Sequence, residues 1–331
     1  MRIGILMPHF GAYASRDTIV RLSARAEEIG LESLWARDHL IWKPHPMEGT
    51  DRAFIDPFVA LSAAAAVTER VTLGTAVAIP TRWPLKLAQE YASLSFISGG
   101  RVAAGIGLGF NRREFGAVGL DATQREQILD ESIELLRSAW RGGPVHFAGE
   151  IFTADGVELS PTPVQPIPIL YGGTTPAGVR RGVRLADGLY FGRLPFATLD
   201  RRLAQMREAS EGRAMYSVVQ PLVVIDSSRR AAEQRIPVSE ITHSSEGAKF
   251  WVKPPSGEFQ TAEDLAGLVV HGTPDDIVGQ MLEFADRGVD EFVFDLRLQF
   301  DEYEKALELI GSEVLPAVRP RLERRDPPIS Q

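Results

Sequence analysis

Ser98-Gly99-Gly100-Arg101-Val102-Ala103-Ala104-Gly105-Ile106-Gly107-Leu108-Gly109-Phe110-Asn111-Arg112-Arg113-Glu114-Phe115 is the stretch from which the fold can be read. It opens on a turn, Ser98-Gly99-Gly100. The apolar run from Val102 to Ile106 is short enough for a buried strand. Gly105, Gly107 and Gly109 end it at alternate positions, and alternate residues of a strand point to one face. They leave a shelf of bare backbone open to close approach by a ligand. N–H groups in such a turn can bind phosphate. A tight strand-to-helix turn accounts for the glycines equally well. The dinucleotide fingerprint is absent, because its third glycine would fall at position 110, which is Phe110. A Rossmann nicotinamide site is therefore disfavoured.

Outward from this stretch, short apolar runs alternate with helical periodicity. Strands are expected at Arg2–Met7, Ser33–Ala36, Val71–Ile79, Val102–Ile106, Ile167–Tyr171, Gly188–Phe191, Tyr216–Ile225 and Glu291–Leu296. Helices are expected at Ser15–Ile29, Pro57–Val67, Pro84–Ile97, Thr123–Trp140, Pro176–Ala186, Thr198–Ser210, Pro274–Arg287 and Asp301–Val318. Such alternation demands a parallel sheet. Eight units close a (β/α)8 TIM barrel; a doubly wound open sheet is the alternative. No linker divides the chain, so residues 1–318 are read as a single barrel domain with loop insertions at its C-terminal face. Trp42 to Asp56 is a Pro-rich loop, and Gly142 to Pro166 suggests a hairpin over the barrel rim. Residues 227–271 have weak periodicity and read as an insertion or a mobile lid. Residues 319–331 form a charged, Pro-rich tail, expected to be loose.

Composition narrows the function. Of 331 residues, 44% are apolar and 24% charged, the balance of a soluble globular protein. A net charge of −8 argues against nucleic acid or an anionic membrane as partner. The chain has no cysteine, hence no disulfide, thiolate metal site or cysteine nucleophile, and this suits the cytoplasm. The apolar run at Met1–Pro8 is too short for a signal peptide, and no stretch approaches the roughly 20 apolar residues of a membrane span.

A barrel carries its chemistry at the C-terminal ends of its strands. There lie Asp38-His39 after the second strand, Gly74-Thr75-Ala76-Val77 on the third, the glycine shelf after the fourth and Gly172-Gly173-Thr174 after the fifth. The last precedes a helix N-terminus, a ready anion site. Two glycine-rich ends on neighbouring strands would make one phosphate pocket. His9, His45, His146, His243 and His271 are too scattered to read as a metal site, and no Ser-His-Asp arrangement is legible.

Together these motifs resemble the bacterial luciferase-like flavin and deazaflavin oxidoreductases, from Arg2 to about Val318. The specific parts are Leu31–His39, Asp56–Leu61, Thr68–Thr75, Ser98–Arg101, Gly105–Phe110 with Glu114-Phe115, and Tyr171–Ala177. The branch that uses the deazaflavin coenzyme F420 is the most similar. The resemblance implies a cofactor tricycle in the barrel mouth, supported by a cis-peptide bulge at Ala76-Val77. It implies phosphate binding by the backbone of Gly107, Leu108, Gly109, Gly173 and Thr174. It points to His39 as the catalytic residue beside the redox carbon, with Asp38 in the cofactor site orienting the ring. A structural His39–Asp38 hydrogen bond is the alternative. By type, imidazole suits proton exchange near neutral pH.

Trp42 reads equally as a site residue or a loop aromatic. Arg101 reads as a structural arginine, Arg112 and Arg113 as solvated surface, and Glu114 with Phe115 as an anchor for the following segment. The sugar-phosphate dehydrogenase branch carries a catalytic glutamate where this chain has Phe110, which argues against glucose-6-phosphate as substrate. The expected function is hydride transfer between F420 and a small organic substrate. An FMN-dependent monooxygenase and a non-catalytic flavin-binding barrel are the alternatives. Homodimers are common in the family, and helices Pro57–Val67 and Pro84–Ile97 could supply the interface.

Overall fold

A computed structural model describes residues 1–41, 54–244 and 247–324. The expected loop from Trp42 falls outside it up to residue 53, so Trp42 and His45 are not placed. The eight barrel strands are Arg2–Leu6, Ser33–Ala36, Thr72–Thr75, Val102–Gly107, Ile169–Gly172, Gly188–Gly192, Tyr216–Val219 and Glu291–Phe294. They close in sequence order, the first pairing with both the second and the eighth, and every pair is parallel. An open sheet is thereby excluded.

Local chemistry sets the helix ends. Ser15 closes a capping box with Thr18 at the start of Arg16–Glu28. Asp56 accepts the Phe58 and Val59 N–H groups at the start of Pro57–Ala65, where Pro57 lacks the donor that would be orphaned. Pro84–Ser98 ends on Gly99 at φ 68°, the left-handed cap that glycine tolerates. Arg101 then donates to the carbonyls of Ser98, Val71, Thr68 and Ala65, a structural role as expected from its place before a strand.

Leu6, Phe10, Trp35, Ala103, Leu170, Tyr190, Val218 and Val293 pack inside the barrel, and the larger apolar layer lies between strands and helices. Trp35 is fully buried; an added Cβ at Gly74 would come within 2.3 Å of its ring, so that glycine makes room for it. Below Trp35, Glu291 accepts from Trp35 Nε1 at 2.9 Å and from Tyr216 OH at 2.9 Å.

Four sequence expectations change. The strand expected over Tyr216–Ile225 breaks at Gln220-Pro221: proline donates no ladder hydrogen bond. Leu222–Ile225 leaves the barrel to pair with Val269–Gly272 as a two-stranded parallel ribbon. The strand expected over Val71–Ile79 stops at Thr75, where a bulge with a cis Ala76-Val77 peptide begins. The hairpin Val145–Ala148/Thr153–Val157 exists but is held on the outer helices rather than over the rim. Glu131 of helix Arg125–Trp140 accepts the N–H groups of residues 150–152, and Phe152 meets Trp83 edge-on. The last helix continues through Glu323, with Arg319 donating to the Gly30 carbonyl, so the expected tail begins later than Arg319. No helix among the described residues is long and apolar enough to cross a membrane.

Candidate active site

Strand ends converge on a cavity of about 430 Å³ at the barrel's C-terminal mouth. That is within the range of small-molecule sites, about 300–1,000 Å³. Asp38, His39, Ala76, Val77, Gly107, Leu108, Gly109, Gly173 and Thr174 all line it. From first to last these motifs span more than a hundred residues of sequence, yet the barrel brings them to one cavity.

The partner of His39 differs from the sequence expectation. Asp38, next to it in the chain, turns away. Its Oδ2 accepts the Ile79 N–H at 2.9 Å and Arg82 Nη1 at 2.5 Å, while Oδ1 accepts Arg82 Nη2 at 3.2 Å. Arg82 also reaches Asp56 at 2.6 Å and Glu90 at 3.2 Å. Asp38 thus ties the end of the second strand to the far side of the bulge.

The ring is held instead by Glu114, on the short helix Arg112–Ala117 that Asn111 caps. Glu114 Oε1 accepts from His39 Nδ1 at 3.2 Å, from the Leu40 N–H at 2.9 Å and from the Ile41 N–H at 3.3 Å. Glu114 is fully buried, and its Oε2 has no hydrogen-bond partner among the described residues. Burial pushes its carboxyl up, but the His39 hydrogen bond and charge and the Ile41 and Leu40 N–H groups outweigh it and hold it below the usual carboxylate range. An ionised carboxylate only accepts, which assigns an N–H to His39 Nδ1 and leaves Nε2 as the ring nitrogen that Glu114 does not engage. Phe54 and Phe110 meet the imidazole edge-on, with centroids at 5.4 and 6.0 Å.

The glycine shelf turns out to have a tenant from the chain itself. A Cβ at Gly107 would stand 2.6 Å from Val77 Cγ2, and one at Gly172 would stand 2.8 Å from the same atom. A Cβ at Gly105 would strike the Thr75 carbonyl oxygen at 1.9 Å. Gly107 and Gly172 are ladder partners, so the bulge leans its valine across two adjacent bare positions. The Gly107 N–H donates to the Ala78 carbonyl at 3.0 Å, so Gly107, expected from the sequence to bind phosphate through its backbone, has its N–H already engaged. Gly109, at φ 65°, is the position where the chain turns off the strand. On the fifth strand, Thr175 caps helix Pro176–Leu185 through the Gly178 N–H at 3.0 Å, which aims that helix N-terminus at the Gly173-Thr174 turn.

The remaining wall was not legible as a motif. Asp295 is fully buried, follows the eighth strand and accepts from Arg297 at 2.6 Å and Gln220 Nε2 at 2.8 Å, with Arg193 at 3.5 Å. Tyr190 OH donates to Gln220 Oε1 at 2.5 Å. Burial pushes the Asp295 carboxyl up, but the charge and hydrogen bond of Arg297, aided by Arg193 and Gln220, pull it down to about 2. Arg37 lies over the Phe10 ring at 4.7 Å. The segment 227–271 contributes Gly247 and Trp251 to the lining. The only available signal was position: Gln220 and Asp295 directly follow barrel strands, and Tyr190 lies within another, Gly188–Gly192.

The sequence profile of the luciferase-like monooxygenase family matches residues 1–291. An F420-dependent glucose-6-phosphate dehydrogenase of Nakamurella multipartita is 30% identical over 332 aligned residues, covering 94% of this chain and 96% of that protein. Among solved structures, an F420-dependent secondary alcohol dehydrogenase in complex with an F420–acetone adduct superposes with a TM-score of 0.77 at 20% identity, covering 96% of this chain and 99% of the other. The FMN-bound oxygenating constituent of 3,6-diketocamphane monooxygenase from Pseudomonas putida also gives a TM-score of 0.77, at 18% identity over 96% and 99% of the two chains. At those identities the two structures speak for the shared barrel alone.

Proposed function

The chain belongs to the luciferase-like monooxygenase family, and from that membership we propose an oxidoreductase that transfers hydride between the deazaflavin coenzyme F420 and a small organic substrate. The choice of F420 over FMN is carried by the near-full-length likeness to an F420-dependent dehydrogenase. The residues present fit such a cofactor. An apolar bulge at Ala76-Val77 backs the cavity, and the turns at Leu108-Gly109 and Gly173-Thr174 give backbone access beside a helix N-terminus. In this reading the tricycle rests on Ala76 and Val77, and the N–H groups of Leu108, Gly109, Gly173 and Thr174 hold the phosphate. When bound, the deazaflavin supplies the two-electron hydride chemistry.

The protein's part is positioning and proton handling. His39 Nε2 takes or returns the substrate proton, while Glu114 fixes the ring through Nδ1. Phe54 and Phe110 restrict the ring's tilt and keep water from its edges. Phe110 cannot act as an acid, so we assign a substrate other than glucose-6-phosphate. Val59, Phe96 and Ile97 expose 63%, 65% and 58% of their surface on neighbouring outer helices, which supports a homodimer through that face. The cysteine-free composition suits a cytoplasmic enzyme.

The test is turnover under two regimes. Anaerobic reaction of F420 or its reduced form with a panel of alcohols, ketones and enones should change the deazaflavin absorbance. Oxygen consumption with reduced FMN and no reaction with deazaflavin would replace this reading with a monooxygenase; inactivity with both would leave a binding barrel.

A further inference from the structure

Outside the cavity, His271 poses a separate question. It is 3% exposed, on the ribbon strand Val269–Gly272, and neither ring nitrogen has a hydrogen-bond partner among the described residues. Gln280 clamps its backbone, accepting the His271 N–H at 3.3 Å and donating to its carbonyl at 2.8 Å. The imidazole Nε2 faces Glu233 Oε1 at 3.7 Å, too long for a hydrogen bond. One ligand atom each from Glu233, Glu263 and His271 lie within 4.8 Å of one another.

We propose that Glu233, Glu263 and His271 form a binding site for a divalent metal ion, zinc by its donor set, which ties the two ends of the chain between Glu233 and Glu263 to the ribbon strand Val269–Gly272. The charge balance fits. Arg229 is shared among Glu233 at 3.3 Å, Glu263 at 3.8 Å and Asp276 at 3.6 Å, so one cation faces three carboxylates. The surplus of two negative charges is what a divalent ion neutralises. Zinc bonds of about 2.0–2.2 Å place tetrahedral ligands about 3.4 Å apart, so the side chains must close by roughly 1 Å. Zinc accepts imidazole and carboxylate together, with water completing the shell.

The site was invisible in sequence because its ligands come from three elements: helix Arg229–Glu233, the turn Glu263–Leu265 and the ribbon strand. Between Glu233 and Glu263 runs the chain that carries Gly247 and Trp251 to the cavity. The ion therefore pins both ends of that segment.

The full-length protein, stripped with a chelator, is titrated with zinc chloride in a calorimeter. One equivalent should bind, and His271→Gln and Glu263→Gln should each weaken it by about tenfold or more. Glu263 has an exposed side chain, so its variant serves if His271→Gln fails to fold. Arg229→Gln, which removes the competing cation, should tighten binding. Failure of the parent to take up zinc, or unchanged affinity in folded His271→Gln or Glu263→Gln, overturns the proposal.

Discussion

A single methyl group added at Gly107 tests what the glycine wall accommodates. The new Cβ would stand 2.6 Å from Val77 Cγ2 and 3.2 Å from the Gly172 carbonyl oxygen. Carbon atoms in contact rest at about 3.5–4.0 Å, so Val77, which lines the cavity, must shift by roughly 1 Å. Overpacking of this kind costs about 1–3 kcal/mol. Val77→Ala removes the colliding atom, at its own cost of about 1.5 kcal/mol for two lost methyl groups. In the double variant the collision disappears. The two single losses should therefore sum to about 1–3 kcal/mol more than the loss of the pair, within the range seen for residues in contact. Urea unfolding of the four proteins, with the slope checked for constancy, measures this. If the losses add within about 0.5 kcal/mol, Val77 is not the tenant of the glycine wall. The same geometry predicts that a larger substitution such as Gly107→Val disturbs the wall itself, beyond any obstruction of a ligand.

Glu114→Gln keeps an acceptor for the Leu40 and Ile41 N–H groups but loses the charge that holds His39. It should fold with a loss of about 1–3 kcal/mol and slow single-turnover hydride transfer more than it weakens deazaflavin binding; an unchanged rate would show that the ring needs no carboxylate. His39→Ala should keep cofactor affinity within about tenfold, roughly 1.4 kcal/mol, while hydride transfer falls about 10²–10⁴-fold; transfer at the parent rate would make the histidine structural. Stability should also depend on pH through His9. Burial outweighs its hydrogen bonds to the Arg37 and Met7 carbonyls and lowers its pKa to about 4. The unfolded ring titrates at about 6.5, so between these values the unfolded chain binds more protons and stability rises with pH. Lowering the pH from 7 to 4 should remove about 3 kcal/mol through this group, at about 1.36 kcal/mol for each tenfold difference in proton affinity between the folded and unfolded ring. His9→Gln should flatten that part of the urea-unfolding profile.

The barrel was legible because its parallel strands are buried on both faces and read as short apolar runs followed by helices, several of which open on a capping side chain. Legibility failed where neighbours in space are distant in sequence. Asp38 adjoins His39 in the chain and drew the role of ring partner, yet its carboxylate is claimed by Arg82 and the Ile79 N–H. Glu114, 75 residues away, holds the ring, and in sequence it reads, with Phe115, only as an anchor for the following segment. The strand over Tyr216–Ile225 looked continuous because Leu222–Ile225 is as apolar as a barrel strand; its apolar partner is Val269–Gly272, hidden at the end of a segment with weak periodicity. The glycines at 105, 107 and 172 were legible as bare backbone, but not that Thr75 and Val77 need that space before any ligand does.

We propose that the cavity at the barrel mouth is a deazaflavin site. Equilibrium titration of the purified protein with coenzyme F420 and, separately, with FMN, followed by quenching of tryptophan fluorescence, tests it most directly. F420 should bind at least about tenfold more tightly than FMN, a difference of about 1.4 kcal/mol or more. FMN binding as tightly as F420, or more tightly, would contradict it.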